Sequence, residues 1–198
     1  MPGPPAFQRQ ERVVVEDTFV DPDFATLGEK ARLFGFAAVQ STPMRGRDGN
    51  VHRGRPKDGY YPMVSHLGAT ISVVNGVLMA RRLRGIEGTV GAACIGEGGT
   101  STGAFHEALN QAAVERLPIV IVVADNQYAY STPNTRQFAC RSLADRAKGY
   151  GVTGHTLDGI DLEACLNGTR GAVEKARAGG GPQLIVGNLL PLCGHGEH

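Results

Sequence analysis

The sequence predicts an α/β protein built around a doubly wound, mostly parallel sheet. Two observations support this fold class. Apolar segments of strand length alternate along the chain with longer segments in which apolar residues recur at helical spacing. Glycine or polar residues follow each apolar run, which is typical of loops that leave a buried sheet. Strands that alternate with helices in this way form parallel sheets with helices packed on both faces.

The first elements can be placed from Gly68 onward. Residues 69–83 are mostly apolar and include small side chains, so we predict a helix buried between layers. Residues 89–95 form a short apolar run that ends in glycines, which predicts a buried strand. Residues 103–116 have apolar positions on one side of a helix, and this predicts the second helix.

The middle of the chain continues the alternation. Pro118 ends the second helix, and the β-branched run over residues 119–124 predicts a strand that is buried on both faces. Residues 141–148 are predicted to form a short helix. Residues 154–157 are predicted to form a short strand.

The last two elements follow a capping residue. Asp161 can cap a helix that runs to about residue 178, where three glycines end it. Residues 183–190 are predicted to form the final strand, because they are a second continuous apolar run.

The organisation predicted for the whole chain is an arm and one domain. Residues 1–23 have Pro-rich ends around a short valine run, so we expect an N-terminal arm. Residues 24–198 are expected to form a single domain, because 198 residues leave little room for two large cores. Within this domain, residues 24–39 have helical spacing, and residues 45–61 form a long loop of the kind that is often functional.

Composition and charge argue against several classes of function. The hydrophobic fraction of 41% suits a globular domain with a real core. The sequence contains no run of about eighteen apolar residues, so no membrane span is predicted. The start of the chain lacks the pattern of a secretory signal. We therefore expect a cytoplasmic protein. The net charge of +1 comes from scattered residues, so neither nucleic acid nor a membrane surface is an expected partner.

Polar and glycine-rich segments follow three of the predicted strands. Ligands of doubly wound sheets bind outside the carboxyl ends of the strands, so these segments are the candidate site. Their sequences are GEGGTSTG over residues 96–103, DNQY over residues 125–128 and CGHGEH over residues 193–198.

The first of these segments suits a diphosphate that is bridged by a cation. Its glycines let the backbone approach phosphate, and it leads into a helix whose N-terminal amides attract anions. Glu97 would repel a bare diphosphate, but Mg²⁺ resolves the conflict because it binds carboxylates and phosphates together. Glu97, the amide oxygen of Asn126 and a carbonyl near Tyr128 are the predicted protein ligands. The glycine loop alone is more typical of an ordinary βα turn than of a binding site. Asn126 at the end of the next strand favours the metal–diphosphate site.

The spacing and the surrounding sequence resemble a known family. Gly98 and Asn126 are separated by 27 residues, which matches the spacing in the thiamine diphosphate signature. The segment GEGGTSTGAFHEALNQAAVERLPIVIVVADNQYAYSTP resembles the alpha subunits of 2-oxo acid dehydrogenases nearly throughout. The segments GRDGNVH, PMVSHLGATISVVNG, LADRAKGYGV and GHGEH do so as well. The resemblance covers residues 24–198 and implies the thiamine diphosphate-binding fold.

This resemblance implies roles for the residues of the first two segments. Glu97 and Asn126 match the side-chain ligands of Mg²⁺, and Tyr128 matches the residue whose carbonyl is the third ligand. Gly98 and Gly99 match residues whose backbone amides bind the diphosphate.

Three further residues match positions beside the cofactor. Ser65 and Leu67 match residues whose backbone contacts its pyrimidine end. His195 matches a histidine that orients the substrate and assists acyl transfer, so it is the implied catalytic residue. An imidazole suits this task because it donates hydrogen bonds and titrates near neutrality.

The resemblance also implies a reaction and partners. The chain would be an alpha subunit in which thiamine diphosphate chemistry decarboxylates a small 2-oxo acid, pyruvate or a branched-chain acid. The acyl group would pass to lipoyl on a partner acyltransferase. A beta subunit, in a two-alpha, two-beta assembly, would supply the glutamate that activates the pyrimidine.

Two alternatives to this function stay open. One is the alpha subunit of an acetoin dehydrogenase, and the other is a truncated paralogue without catalysis. A simple nucleotide-binding module is disfavoured, because neither a GxGxxG loop nor a GxxxxGK[ST] loop is present.

The chain departs from the family pattern at several positions. Glu97 stands where the usual motif has Asp, and Asp125 replaces the first of two paired asparagines. Gly196 occupies the place of a regulatory serine in mitochondrial relatives, so phosphorylation at that spot is not available. Family alpha subunits extend further at both ends, and their diphosphate-binding Tyr-Arg pair has no match before residue 45. We therefore expect a chain truncated at both ends that binds cofactor weakly on its own.

Overall fold

The computed structural model describes residue 56 and residues 59–190. The chain divides into two units, Met1–Val64 and Ser65–His198. The described part of the first unit contains a turn in which the amide of Gly59 donates to the carbonyl of Pro56 at 3.0 Å. The predicted arm over residues 1–23, the helix over residues 24–39 and most of the loop over residues 45–61 lie outside the described residues.

The second unit is built on a parallel sheet, as predicted. Its four strands are β1 (Gly91–Gly96), β2 (Ile119–Asp125), β5 (Thr153–Asp158) and β6 (Gln183–Asn188). They lie in the order β1-β2-β6-β5, and every neighbouring pair is parallel. Two short strands, β3 (Tyr128–Ala129) and β4 (Thr132–Pro133), form a separate antiparallel hairpin after β2.

Four α-helices accompany the sheet in the described residues: α1 (Ala69–Leu83), α2 (Gly103–Val114), α3 (Ala144–Gly149) and α4 (Leu162–Lys175). Short 3-10 segments cover Glu97–Ser101 and Asn134–Arg136, and a wider helical turn covers Ala176–Gly180. No helix in this part of the chain is long and apolar enough to cross a membrane.

The helices cover both faces of the sheet, which confirms the doubly wound architecture. Side chains of α1, α2 and α3 join one buried cluster, and α4 contributes to a second cluster. Strand β2 lies between them: its Ile121 belongs to the first cluster and its Val120 to the second. Neighbouring side chains of a strand point to opposite faces, so the β-branched run of β2 is buried on both sides.

Several predicted boundaries differ from the observed ones for local reasons. The first strand begins at Gly91, whose amide pairs with the carbonyl of Pro118 at 2.9 Å and starts the ladder to β2. Helix α4 ends at Lys175, and a left-handed Gly179 (φ 84°) lies in the wider turn that follows. The predicted cap is confirmed, since the Asp161 carboxylate accepts hydrogen bonds from the amides of Glu163 and Ala164.

The register of the sheet defines one common edge. Gly96 pairs with Ala124, and Asn188 pairs with both Asp125 and Asp158. The four strands therefore end side by side. The segments that follow β1 and β2 leave the sheet at neighbouring positions, as the alternation of elements predicted.

Candidate functional site

The glycine-rich segment after β1 is an ordered turn. Residues Glu97–Ser101, here called the glycine turn, form a 3-10 segment. The Thr100 hydroxyl donates to the carbonyl of Glu97 at 2.5 Å, and the Thr102 hydroxyl donates to the carbonyl of Gly99 at 2.8 Å. Thr102 is also the N-cap of α2, and its side chain accepts a bond from the amide of Phe105. The turn therefore presents a fixed backbone directly before a helix N-terminus.

Glu97 is the unusual residue of this turn. The whole residue is only 2% exposed. Its Oε1 is buried and has no hydrogen-bond partner among the described residues. A buried acceptor without a partner is costly, and a carboxylate is costlier than a neutral group. Coordination of a cation would satisfy this oxygen, so the residue fits a metal ligand.

The segment after β2 is shaped by two side-chain turns. The Asp125 carboxylate accepts from the amide of Gln127 at 2.9 Å, and the Asn126 side-chain oxygen accepts from the amide of Tyr128 at 3.1 Å. Gln127 adopts a left-handed conformation (φ 72°) between them. Asp125, a departure from the family pattern, thus helps to form the turn. An amide oxygen has two lone pairs, so Asn126 keeps acceptor capacity for a cation.

The glycine turn and the hairpin are in direct contact. A Cβ built on Gly98 would lie 2.4 Å from the Cβ of Ala129, which belongs to β3. The residues predicted as ligands therefore lie on two segments that pack together. The structure brings Glu97, Gly98, Asn126 and Tyr128 to the same edge of the sheet.

The segment that carries Ser65 and Leu67 also reaches the glycine turn. The Leu67 carbonyl lies 3.2 Å from the Thr102 hydroxyl, whose single proton it shares with the carbonyl of Gly99. A Cβ on Gly99 would lie 3.6 Å from the Cβ of Leu67. Ser65 lies two residues earlier and is exposed. Gly68 adopts a left-handed φ of 87°, and a Cβ there would meet the Phe105 amide nitrogen at 2.8 Å. Only glycine fits this close approach to α2.

Two residues that hold the turn were not found by sequence reasoning. Arg146 of α3 donates through Nη1 to the carbonyl of Thr100 at 2.7 Å and to its hydroxyl at 2.9 Å. Gln137 joins the glycine turn to the hairpin through its side chain and its carbonyl. The bond from Arg146 to Thr100 and the bond from Ser101 to Gln137 join distant positions in the chain, and no local sequence pattern signals them.

One predicted site residue cannot be placed. His195 lies outside the described residues, and its role stays a prediction. In the described ranges no three His, Cys, Asp or Glu side chains gather into a possible metal cluster. The predicted ligand set is of a different kind, since it joins one carboxylate, Glu97, to an amide and a backbone carbonyl oxygen.

Comparison with known proteins gives a family and several relatives. The model of the family described as dehydrogenase E1 component matches residues 26–196. The chain is 45% identical over 135 residues to the alpha subunit of 3-methyl-2-oxobutanoate dehydrogenase from Mycobacterium tuberculosis, which covers 68% of this chain and 36% of that protein. It is 36% identical over 152 residues to the alpha subunit of acetoin:2,6-dichlorophenolindophenol oxidoreductase from Cupriavidus necator, which covers 77% of this chain and 45% of that protein.

A solved structure shares the fold. The X-ray structure of an enzyme from Mycobacterium smegmatis, described as thiamin diphosphate-dependent, matches with a TM-score of 0.51 and 22% identity, covering 67% of this chain and 24% of that one. At 22% sequence identity, the similarity shows a shared fold alone. The chain spans less than half the length of the two curated relatives, 36% and 45%. The family model matches most residues of this chain, and this match shows that the chain belongs to the dehydrogenase E1 component family.

Proposed function

We propose that the chain is the alpha subunit of a thiamine diphosphate-dependent 2-oxo acid dehydrogenase, and that its glycine turn holds the cofactor diphosphate through Mg²⁺. The observation that carries this proposal is the buried Glu97 carboxylate, whose Oε1 has no hydrogen-bond partner among the described residues. The glycine turn that begins at Glu97 leads into the N-terminus of α2, where amides attract an anion. A bound cation would satisfy the buried Glu97 oxygen, and an anionic ligand would be attracted by the N-terminal amides of α2.

The residues of the site divide the binding between them. Glu97, the side-chain oxygen of Asn126 and the carbonyl of Tyr128 would supply oxygen ligands, the kind that Mg²⁺ prefers. The backbone of Gly98 and Gly99 would bind the diphosphate. Ser65 and Leu67 would contact the pyrimidine end through their backbone.

Catalysis divides between the bound group and the protein. When bound, thiamine diphosphate supplies the electron sink that decarboxylation of a 2-oxo acid requires. His195 would orient the substrate carboxylate and move a proton, because imidazole titrates near neutrality. The protein's other contribution is to hold and orient the reactants.

The proposed assembly includes other chains. A beta subunit would complete the cofactor site in a two-alpha, two-beta assembly, and a lipoyl acyltransferase would receive the acyl group. We further propose that the protein acts in the cytoplasm. The substrate would be pyruvate or a branched-chain 2-oxo acid, and the similarity to the 3-methyl-2-oxobutanoate dehydrogenase subunit supports the second.

One other function has an observation in its favour. The acetoin-type relative from Cupriavidus necator supports an acetoin dehydrogenase alpha subunit. Product analysis with pyruvate, branched-chain 2-oxo acids and acetoin, in the presence of a beta subunit, would separate these functions.

The binding proposal is tested by calorimetry. Thiamine diphosphate is titrated into the chain, alone and with a beta subunit, in the presence and absence of Mg²⁺. We expect Mg²⁺-dependent binding that Glu97→Ala abolishes. Glu87→Ala is the matched control, because Glu87 is exposed and precedes β1 at the opposite end of the sheet. Absence of binding to the folded wild-type chain, even with a beta subunit, would overturn the proposal.

A further inference from the structure

Gln137 lies between the two segments that carry the proposed ligands. Its carbonyl accepts a hydrogen bond from the Ser101 hydroxyl at 3.2 Å, which ties it to the glycine turn. Its side-chain nitrogen donates to the carbonyl of Thr132 at 2.9 Å, which ties it to β4. One residue therefore spans the contact between the turn and the hairpin.

The backbone around Gln137 extends this connection toward the ligands. The amide of Gln137 donates to the carbonyl of Asn134, and the amide of Asn134 donates to the carbonyl of Gln127, each at 2.9 Å. Gln127 stands between Asn126 and Tyr128 in the chain. A continuous set of hydrogen bonds thus runs from the glycine turn, through Gln137, to the segment after β2.

The remaining polar atom of the Gln137 side chain is its oxygen, Oε1. Its Oε1 is buried and accepts no hydrogen bond from the described residues. It faces the glycine turn, since a Cβ built on Gly98 would lie 3.5 Å from it. The Oε1 of Glu97 in the same turn is also buried and has no hydrogen-bond partner among the described residues. The Oε1 atoms of Glu97 and Gln137 are therefore two buried acceptors beside one turn, and they indicate that a cation or a hydrogen-bond donor binds there.

We propose that Gln137 is a positioning residue for the cation. Its hydrogen bonds set the gap between Glu97 and the segment of Asn126 and Tyr128. Its free Oε1 accepts a hydrogen bond from a water molecule that the ion retains. Mg²⁺ usually keeps several waters and demands near-ideal octahedral geometry, whereas Ca²⁺ accepts longer and less regular coordination. The consequence of this role is selectivity for Mg²⁺ over Ca²⁺. The inference rests on the proposed function.

The test compares the same substitution at two glutamines. Gln137→Leu removes the side-chain amide, with its bond to Thr132 and its buried Oε1, while it keeps a side chain of similar size. Gln183→Leu is the control: Gln183 is fully buried and bonds to the carbonyl of Gly181 and to His155, but it starts β6 at the opposite edge. Mg²⁺ and Ca²⁺ affinities are measured by calorimetry with thiamine diphosphate and a beta subunit present. Thermal unfolding of each ligand-free variant is measured alongside.

We expect Gln137→Leu to lower the Mg²⁺ affinity by about tenfold, the usual scale for residues that support metal ligands. The Ca²⁺ affinity should fall less, so the Mg²⁺/Ca²⁺ ratio drops. Gln183→Leu should lower the unfolding temperature and leave the ratio unchanged. If Gln137→Leu does not fold, Gln137→Met, which preserves side-chain length, replaces it.

The outcomes separate this inference from the proposed function. Wild-type binding together with an unchanged Mg²⁺/Ca²⁺ ratio in the Gln137 variant would overturn the positioning role alone. A wild-type assembly that binds neither ion with the cofactor would overturn the proposed function, and the inference with it.

Discussion

Gly98 packs against Ala129 so closely that no side chain fits between them. A Cβ built on Gly98 would lie 2.4 Å from the Cβ of Ala129, a distance that real Cβ atoms essentially never show. This contact holds the turn of Glu97 against the hairpin that follows Asn126. The sequence suggested that glycine at position 98 lets the backbone approach a phosphate. The packing of the protein itself gives a second reason for glycine there.

The Gly98–Ala129 contact can be tested by a compensating pair of substitutions. We expect Gly98→Ala to destabilise the protein by about 1–3 kcal/mol, the usual cost of overpacking, and to weaken Mg²⁺-dependent cofactor binding. Urea unfolding and calorimetry measure the two effects. The double variant Gly98→Ala/Ala129→Gly should recover most of both losses.

Gly76→Ala is the control for this pair, since a Cβ at position 76 of α1 meets open space. It should leave cofactor binding unchanged. A Gly98→Ala variant with wild-type stability and binding would contradict the contact.

Arg146 supports the same turn from α3. Its two hydrogen bonds to Thr100 involve a charged donor, and removal of such a bond costs about 1.5–3 kcal/mol. We expect Arg146→Met to reduce the free energy of unfolding by an amount of this size, and Arg146→Lys to restore part of it. Denaturant unfolding checks both variants. Arg170→Met, at an exposed position of α4, should have little effect, and an equal loss there would refute the assignment.

Much of this fold follows from patterns that act over short distances. Helix α1 coincides with the predicted range of residues 69–83, because small and apolar residues make up most of it. Strand β2 was recognised from its β-branched run, which a doubly buried strand requires. The alternation of strands and helices was enough to place the ends of β1 and β2 side by side.

Other features depend on contacts that no local pattern encodes. The hairpin strands β3 and β4 have two residues each, which is too short for periodicity to show. The bond of Arg146 to Thr100 joins positions 46 residues apart, and the bond of Ser101 to Gln137 joins positions 36 apart. The burial of Glu97 could not be predicted from the local sequence either, because a charged residue among glycines is typical of an exposed loop. The placement of His195 remains a prediction.

Two glycines of α4 offer a test of packing on the other face of the sheet. A Cβ at Gly171 meets nothing within 4 Å, so Gly171→Ala should stabilise the protein by about 0.5–1 kcal/mol through helix propensity. A Cβ at Gly168 would lie 2.6 Å from a methyl group of Leu157, so Gly168→Ala should give no gain or a loss. Thermal unfolding of the two variants checks the difference. Equal stabilisation at both sites would show that Leu157 does not pack against this helix.

If Glu97 is a cation ligand, its carboxylate should lower the free energy of unfolding of the ligand-free protein. Its carboxylate is buried with one oxygen unpaired, an arrangement that costs about 1–3 kcal/mol in the absence of a ligand. We expect Glu97→Gln, which removes the charge and keeps the shape, to raise the free energy of unfolding of the ligand-free chain by about 1 kcal/mol, toward the lower end of that cost.

The same variant should lose the stabilisation that ligands give. Mg²⁺ and thiamine diphosphate at about 100 times their dissociation constant should stabilise the wild-type assembly by about 2.7 kcal/mol, because ligands that bind only the folded state shift the unfolding equilibrium. Glu97→Gln should show little of this gain, whereas Glu87→Gln, at an exposed carboxylate, should behave as wild type in both conditions. Thermal unfolding with and without ligands measures both effects. A ligand-free Glu97→Gln variant less stable than wild type would indicate that the carboxylate stabilises the fold, and its unpaired oxygen would then be no evidence for a cation.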